Sequence, residues 1–523
     1  MTSHLTAVTD TGTRGRRSRP RVYPRPLLLA CVLVALLAAV PLFFVVGYTI
    51  SVGWSEAWRL LVRPRVGELL VNTTELVAGG MASSAVLGTA AAWLVERTDL
   101  PGRRVWHVLL AAPLAVPAFV VSFGWVSLTS AAQGYPGALL IVTLAYYPLV
   151  YLPVGAALRG LDPALEESAR SLGLGPWRTF ARVVLPQLRP ALLGGALLVG
   201  LHLLAEFGAL QMLRFPTFTT AIYDQYRSSF NSAAANMLAG VLVLYCGVLV
   251  VAELGLRGRH RYARLGPGSS RPAVPARLGW FAVPALAGLG AVVLLALGIP
   301  LASIVRWLVV GTSTAFPAAD LATATVTAAG LGLAGALTTV VLALPVAWLA
   351  VRHPGRIGTL LERSTYTANA LPGIVVALAL VTVSLRVLPA VYQTTALLIA
   401  AYSIMFLPRA TVALRAAVAQ APPVLDDVAR ALGLRPARVW WRVTLPLIAP
   451  GVGAGAILVF LAVVTELTAT LLLSPTGTRT LATEFWSNTN DIDYGAAAPY
   501  AGLMVLLSAP ATFLLTRSAR RGP

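Results

Sequence analysis

ARSLGLGPWRTFARVVLP (residues 169–186) returns 260 positions later as ARALGLRPARVWWRVTLP (residues 429–446), identical at eleven of eighteen positions. A passage rewritten this closely within one chain marks two copies of a larger unit. Composition says where the units reside. The 523 residues are 57% hydrophobic and 11% charged, with a mean hydropathy of +0.77, whereas soluble domains carry about 25% charged residues. The chain therefore reads as an all-α, polytopic membrane protein.

All 40 basic residues are arginine. A GxxxxGK[ST] phosphate loop needs its lysine, so no ATP hydrolysis is expected of this chain, and Schiff-base catalysis is excluded with it. The formal charge of +20 does not point to nucleic acid, because the arginines stand in short loops beside apolar runs, where they set membrane orientation. Cys31 and Cys246 lie inside apolar runs, which argues against a disulfide framework or thiolate site. His4, His107, His202, His260 and His353 are scattered. No metal site is assigned, and no cofactor is expected in the chain.

A helix needs about 20 apolar residues to cross the hydrocarbon core. Twelve stretches qualify: 27–49, 73–95, 107–129, 137–158, 190–212, 234–255, 279–305, 322–350, 366–388, 393–414, 450–473 and 496–516. The first follows RGRRSRPRVYPRP and is too long for a signal peptide, with no small-residue cleavage site. The Arg16-Arg17 pair reads as a cytoplasmic anchor rather than a twin-arginine signal. With the N-terminus inside, 32 of the 40 arginines fall on inward segments and 8 on outward ones. That bias selects cytoplasmic termini and places both copies of the repeated passage in the cytoplasm.

The duplication extends along the chain. Trp93 and Trp348 precede basic turns, Pro117 and Pro372 interrupt apolar runs, and Leu152-Pro153 matches Leu407-Pro408. After the repeated passage, Pro190 matches Pro450 and Glu206 matches Glu466. The expected organisation is a basic segment (1–26), a first half (27–255, repeat unit about 70–255), a Gly/Pro/Arg-rich linker (256–278), a second half (279–516, repeat unit about 320–515) and a tail (517–523). Six spans per half make the repeats parallel rather than inverted.

Within 161–186, Asp162 and Pro163 form a helix start, and a helix through Leu172 sets Glu166 four residues before Arg170 on one face. Gly173 supplies the positive φ that ends it. Pro176 opens a second helix, with Trp177, Phe180 and Val184 on one face and Arg178 and Arg182 on another. A basic amphipathic helix beside a span also suits the headgroup layer, but anchoring does not demand the same helix–Gly–helix spacing twice.

The spacing resembles the cytoplasmic E-A-A-x3-G-x9-I-x-L-P signature of binding-protein-dependent permeases of ATP-binding-cassette (ABC) importers. The first copy carries Glu167, Ala169, Gly173, Leu185 and Pro186; the second carries Asp427, Ala429, Gly433, Leu445 and Pro446. Ser168 and Val428 replace alanine, Asp427 replaces glutamate, and Val183 and Val443 replace isoleucine. The resemblance implies a type I ABC importer transmembrane domain with both halves fused, in a bacterial plasma membrane. Each loop would be a coupling helix docking on one of two cytoplasmic ATPase subunits that hold ATP and Mg, and an extracytoplasmic binding protein would deliver the solute.

Fused permeases of this kind resemble ferric-iron permeases, with thiamine, aminoethylphosphonate and polyamine systems as alternatives. The stretches at 205–226 and 482–501 look most like the ferric-iron group. Glu206 and Glu466 each stand 16 residues beyond their inward proline, about 24 Å up the core. Intramembrane acids generally face a cavity, so the pair either attracts a cation on the translocation pathway or bonds within its own bundle. Asp491-x-Asp493 lacks the other ligands of a calcium loop and reads as a polar outer loop, a place for the binding protein to dock. A secondary transporter shares the 6+6 plan but has no need of paired docking loops. A membrane enzyme would need an acidic or metal-binding constellation in an aqueous loop, and none is evident.

Overall fold

The computed structural model describes residues 24–229, 231–257, 275–311, 313, 316–367 and 371–519. Most of the basic N-terminal segment, the linker and the tail therefore lies outside the described residues. Apart from one isolated bridge between Thr98 and Ala276, the regular elements among the described residues are helical.

Among the described residues, eight helices are long and apolar enough to cross a membrane unbroken, the solution that satisfies every backbone group inside lipid. Their flanks expose apolar side chains such as Phe43, Val86, Leu244 and Val341, as a lipid-facing surface requires. Three of the four remaining stretches are interrupted. Residues 107–129 fall on Arg103–Ala115 and Ala118–Val126, which meet at 90°, and residues 137–158 fall on Tyr135–Tyr146 and Pro148–Gly160, which meet at 40°. Residues 366–388 are represented by the fifteen-residue helix Gly373–Val387 after a break, and 496–516 lie within helix Tyr494–Ala519. Prolines cause the first and third interruptions. Val116, before Pro117, is forced to extended geometry (φ −101°, ψ 119°), because the pyrrolidine ring excludes helical geometry at the preceding residue. Pro372 stands at the matching break.

Each half is built on three mutually packed helices. In the first they are Pro64–Arg97, Pro148–Gly160 and Leu185–Ala205; in the second, Ala318–Arg352, Thr395–Gln420 and Leu445–Val464. The leading helices are exchanged. Arg25–Val52 packs on Ala318–Arg352, Arg356–Thr367 and Gly373–Val387 of the second half, while Ile299–Val310 packs on Ala118–Val126 of the first. A Cβ on Gly124 would lie 2.5 Å from Pro300 Cα, so only glycine permits that crossing. Arg409 belongs to helix Thr395–Gln420, stacks on Phe406 at 5.2 Å and lies close enough to Glu466 and Tyr146 to act on their charges.

Candidate functional site

The two repeated passages fold alike, element for element. In the first, the Asp162 carboxylate accepts from Ala164 N at 3.0 Å and caps helix Pro163–Ser171. Gly173 follows at φ +82°, its N–H donating to Arg170 O and the Leu174 N–H to Ala169 O, the double bond of a left-handed helix end. Helix Pro176–Thr179 then runs through a π-helical turn, Phe180–Val184, into Leu185–Ala205. In the second, helix Pro423–Ala431 ends at Gly433, φ +85°, with the same two bonds, and Pro436–Val439 passes through the π turn Trp440–Thr444 into Leu445–Val464. π turns are rare, and here the same one occurs twice.

Ala169 and Ala429 are buried under these turns, while Glu167, Asp427, Gly173 and Gly433 are exposed. Leu172 and Trp177 are each 83% exposed, Leu432 79% and Trp441 67%, so each turn presents apolar side chains that nothing among the described residues covers. Two expectations fail here. Trp177 does not share a face with Phe180 and Val184, since it projects outward while Val184 is fully buried. Glu166 does not pair with Arg170; it lies 3.0 Å from Arg97 Nη2, at the end of helix Pro64–Arg97. The second half repeats the arrangement with Arg352 Nη2 3.4 Å from Asp426 Oδ2, and Thr444 Oγ1 donates to the other oxygen of Asp426 at 2.8 Å. Beside these pairs, Trp93 meets Phe180 edge-on at 4.9 Å, and Trp348 meets Trp440 edge-on at 5.1 Å.

The far ends of the helices that follow hold the two acids. Spans 190–212 and 450–473 are not continuous. Helix Leu185–Ala205 stops at Glu206 (φ −73°, ψ 122°) and restarts at Gly208–Met212, while Leu445–Val464 stops at Thr465 and restarts at Thr468–Leu473. Each carboxylate causes the restart. Glu206 Oε1 accepts from Ala209 N at 3.0 Å and Glu466 Oε1 from Ala469 N at 2.7 Å, satisfying an amide that opens a new helix. Both acids border one cavity of about 250 Å³, which lies between the halves and is also lined by Tyr146, His202, Phe119 and Phe207.

The cavity's polar groups are held in fixed orientations. The Tyr146 hydroxyl donates to Glu206 Oε2, and His202 Nδ1 donates to Leu198 O at 2.8 Å, which leaves Nε2 as an acceptor. In the second half Ala401 occupies the place of Tyr146, and the Tyr402 hydroxyl, close enough to Glu466 to act on it, bonds to Thr470 Oγ1 at 2.7 Å. Phe207 stacks on Tyr223 at 4.4 Å and on Trp486 at 5.2 Å, an aromatic wall drawn from both halves. Among the described residues no three of His, Cys, Asp and Glu are close enough to hold a metal ion. Asp493 accepts from Ala496 N at 3.0 Å and caps the last helix, a structural role for part of the 491–493 loop.

A profile of the binding-protein-dependent transport system inner membrane component family matches the chain twice, over residues 84–254 and 339–521. A Fe(3+)-transport system permease protein of Haemophilus influenzae is 39% identical over 96% of the chain and 99% of its own length. A sulfate transport system permease protein of Escherichia coli is 29% identical over 45% of the chain and 90% of its length. A molybdenum transport system permease protein of Escherichia coli is 33% identical over 23% of the chain and 58% of its length.

Proposed function

The chain belongs to the binding-protein-dependent transport system inner membrane components, with the family's unit present twice, and on that premise we propose that it is the complete transmembrane pathway of a ferric-iron ABC importer. It is a permease. Both termini and both repeated passages face the cytoplasm, in keeping with the arginine bias. Residues 163–186 and 423–446 are its coupling loops, the turns around Glu167, Gly173, Asp427 and Gly433 docking on two ATPase subunits that bind ATP and Mg. A binding protein delivers the cargo from the other side. The halves 27–255 and 279–516 supply one docking loop and one acid each.

The observation that carries the substrate reading is the meeting of Glu206 and Glu466, one from each half, on a single cavity. Carboxylate, phenol and imidazole are donors suited to a hard, highly charged cation.

Proteoliposomes holding the chain, its ATPase and its binding protein are expected to accumulate ferric iron in preference to sulfate, molybdate, thiamine, aminoethylphosphonate or a polyamine. Preferential accumulation of any of those refutes the iron assignment. A second expectation concerns Gly208, where an added Cβ would lie 2.9 Å from Leu467 Cδ2 and 3.0 Å from Phe119 Cβ. Gly208→Leu crowds Leu467 and Phe119, two residues that line the cavity, and iron uptake should fall roughly tenfold, as overpacking of a close contact predicts. Wild-type uptake by this variant would show that cargo does not pass there.

A further inference from the structure

Each repeated passage is joined covalently to the span region at both ends, entered from helix Pro148–Gly160 or Thr395–Gln420 and left through Leu185–Ala205 or Leu445–Val464, and is held at a third point by an ion pair. Helix Pro163–Ser171 continues through the π turn into Leu185–Ala205, which ends at Glu206. The non-covalent join is the buried ion pair to Arg97, the last residue of helix Pro64–Arg97. Side-chain exposure there is 5% for Arg97 and 10% for Glu166; for Arg352 and Asp426 it is 10% and 9%.

The helices so gripped reach back to the cavity. Gly80 stands seventeen residues before Arg97, and Gly335 seventeen before Arg352, about 26 Å along a helix. A Cβ at Gly80 would lie 2.5 Å from Leu203 Cδ1, and one at Gly335 3.1 Å from Val463 Cγ2. Leu203 and Val463 are equivalent, each three residues before its acid, Glu206 or Glu466. The same circuit occurs in both halves: acid of the passage, arginine, helix, glycine, and the turn that precedes the cavity acid.

We propose that helices Pro64–Arg97 and Ala318–Arg352 are struts, and that the Arg97–Glu166 and Arg352–Asp426 pairs are the positioning residues that make movement of the coupling loops reach the cavity. A loop held only through the two helices that flank it in the chain can tilt at the π turn without moving the cavity acid. Held in addition by an ion pair whose helix packs on Leu203 or Val463, it moves the turn before the cavity acid with it. Buried ion pairs suit this, because separating one strands a charge in a dry environment. The unit therefore moves as a block. Packed helices shift in discrete steps rather than deforming continuously.

The proposal rests on the importer reading above, and the test separates the two. The complete complex is reconstituted, and iron moved per ATP hydrolysed is measured for the wild type, for Arg97→Gln with Arg352→Gln, and for Arg97→Lys with Arg352→Lys. We expect the glutamine variant to keep hydrolysing ATP while its transport per ATP falls roughly tenfold, the size of effect seen along coupling networks. The lysine variant, which keeps the charge, should stay within about threefold of wild type. A wild-type ratio in the glutamine variant overturns the strut. Should that variant not assemble, Gly80→Ala with Gly335→Ala loads the other end of the struts; a reduced ratio supports the proposal and an unchanged ratio overturns it. A wild-type complex that moves no iron with ATP defeats the importer reading itself, and the strut with it.

Discussion

Gly173→Pro combined with Gly433→Pro is expected to abolish coupled uptake, by roughly 100-fold, while the chain still inserts and ATP is still hydrolysed. Both glycines sit at φ above +80°, and proline fixes φ near −65° and has no N–H to donate. Each substitution also removes the bond from Gly173 N to Arg170 O or from Gly433 N to Arg430 O. It further crowds Leu172 or Leu432, since a residue preceding proline is driven from helical geometry. The local cost, about 3 kcal/mol per site, falls on exposed turns and leaves the buried spans alone. Gly173→Ala with Gly433→Ala keeps the N–H and meets only the left-handed penalty of about 1–2 kcal/mol per residue. It should reduce uptake much less. Equal uptake in the proline double variant and the wild type would show that the turns transmit nothing.

The second large effect is expected from Glu206→Gln with Glu466→Gln. Glutamine retains one oxygen for Ala209 N or Ala469 N, so both helix restarts survive; at residue 206 its amide nitrogen replaces the oxygen that accepted from Tyr146 and can donate to the phenol oxygen instead. What disappears is the negative charge bordering the cavity. At an effective dielectric near 20, a unit charge pair 4 Å apart is worth about 4 kcal/mol, and a trivalent cargo amplifies the loss. Iron uptake should fall on the order of 100-fold with the complex intact and ATP hydrolysis persisting. The halves are not equivalent, because the Tyr146 phenol donates to Glu206 while the Tyr402 hydroxyl bonds to Thr470 Oγ1. The single change at 466 should therefore cost more than that at 206. Unchanged uptake in the double variant assigns both acids to capping alone.

Much of this architecture is legible in the sequence. The repeated passages declare their glycines, prolines and spacing, and those local signals fix the turns at Gly173 and Gly433. Hydropathy, however, measures burial in lipid and not helical continuity. Residues 205–212 are apolar enough to extend a span, so the break at Glu206 is concealed. Its signal was a carboxylate three residues ahead of an amide at the opening of a new helix, the pattern of a cap. Pro117 and Pro372 were visible as interruptions, but the 90° bend at the first depends on what packs around it. The Arg97–Glu166 pair was hidden for another reason. The arginines and tryptophans repeat at an offset of 255 and their partners at 260, so one alignment of the halves does not superimpose both. The exchange of leading helices leaves no local trace, because it is decided by packing between segments far apart in the chain.

The most direct measurement is iron accumulation by proteoliposomes containing this chain, its ATPase subunits and its binding protein, with ATP and Mg supplied on the ATPase side. Iron should accumulate with hydrolysable ATP, and stop when the ATPase is omitted or made unable to hydrolyse. Accumulation at the same rate without ATPase, driven by an ion gradient, would make the chain a secondary transporter and contradict the permease mechanism.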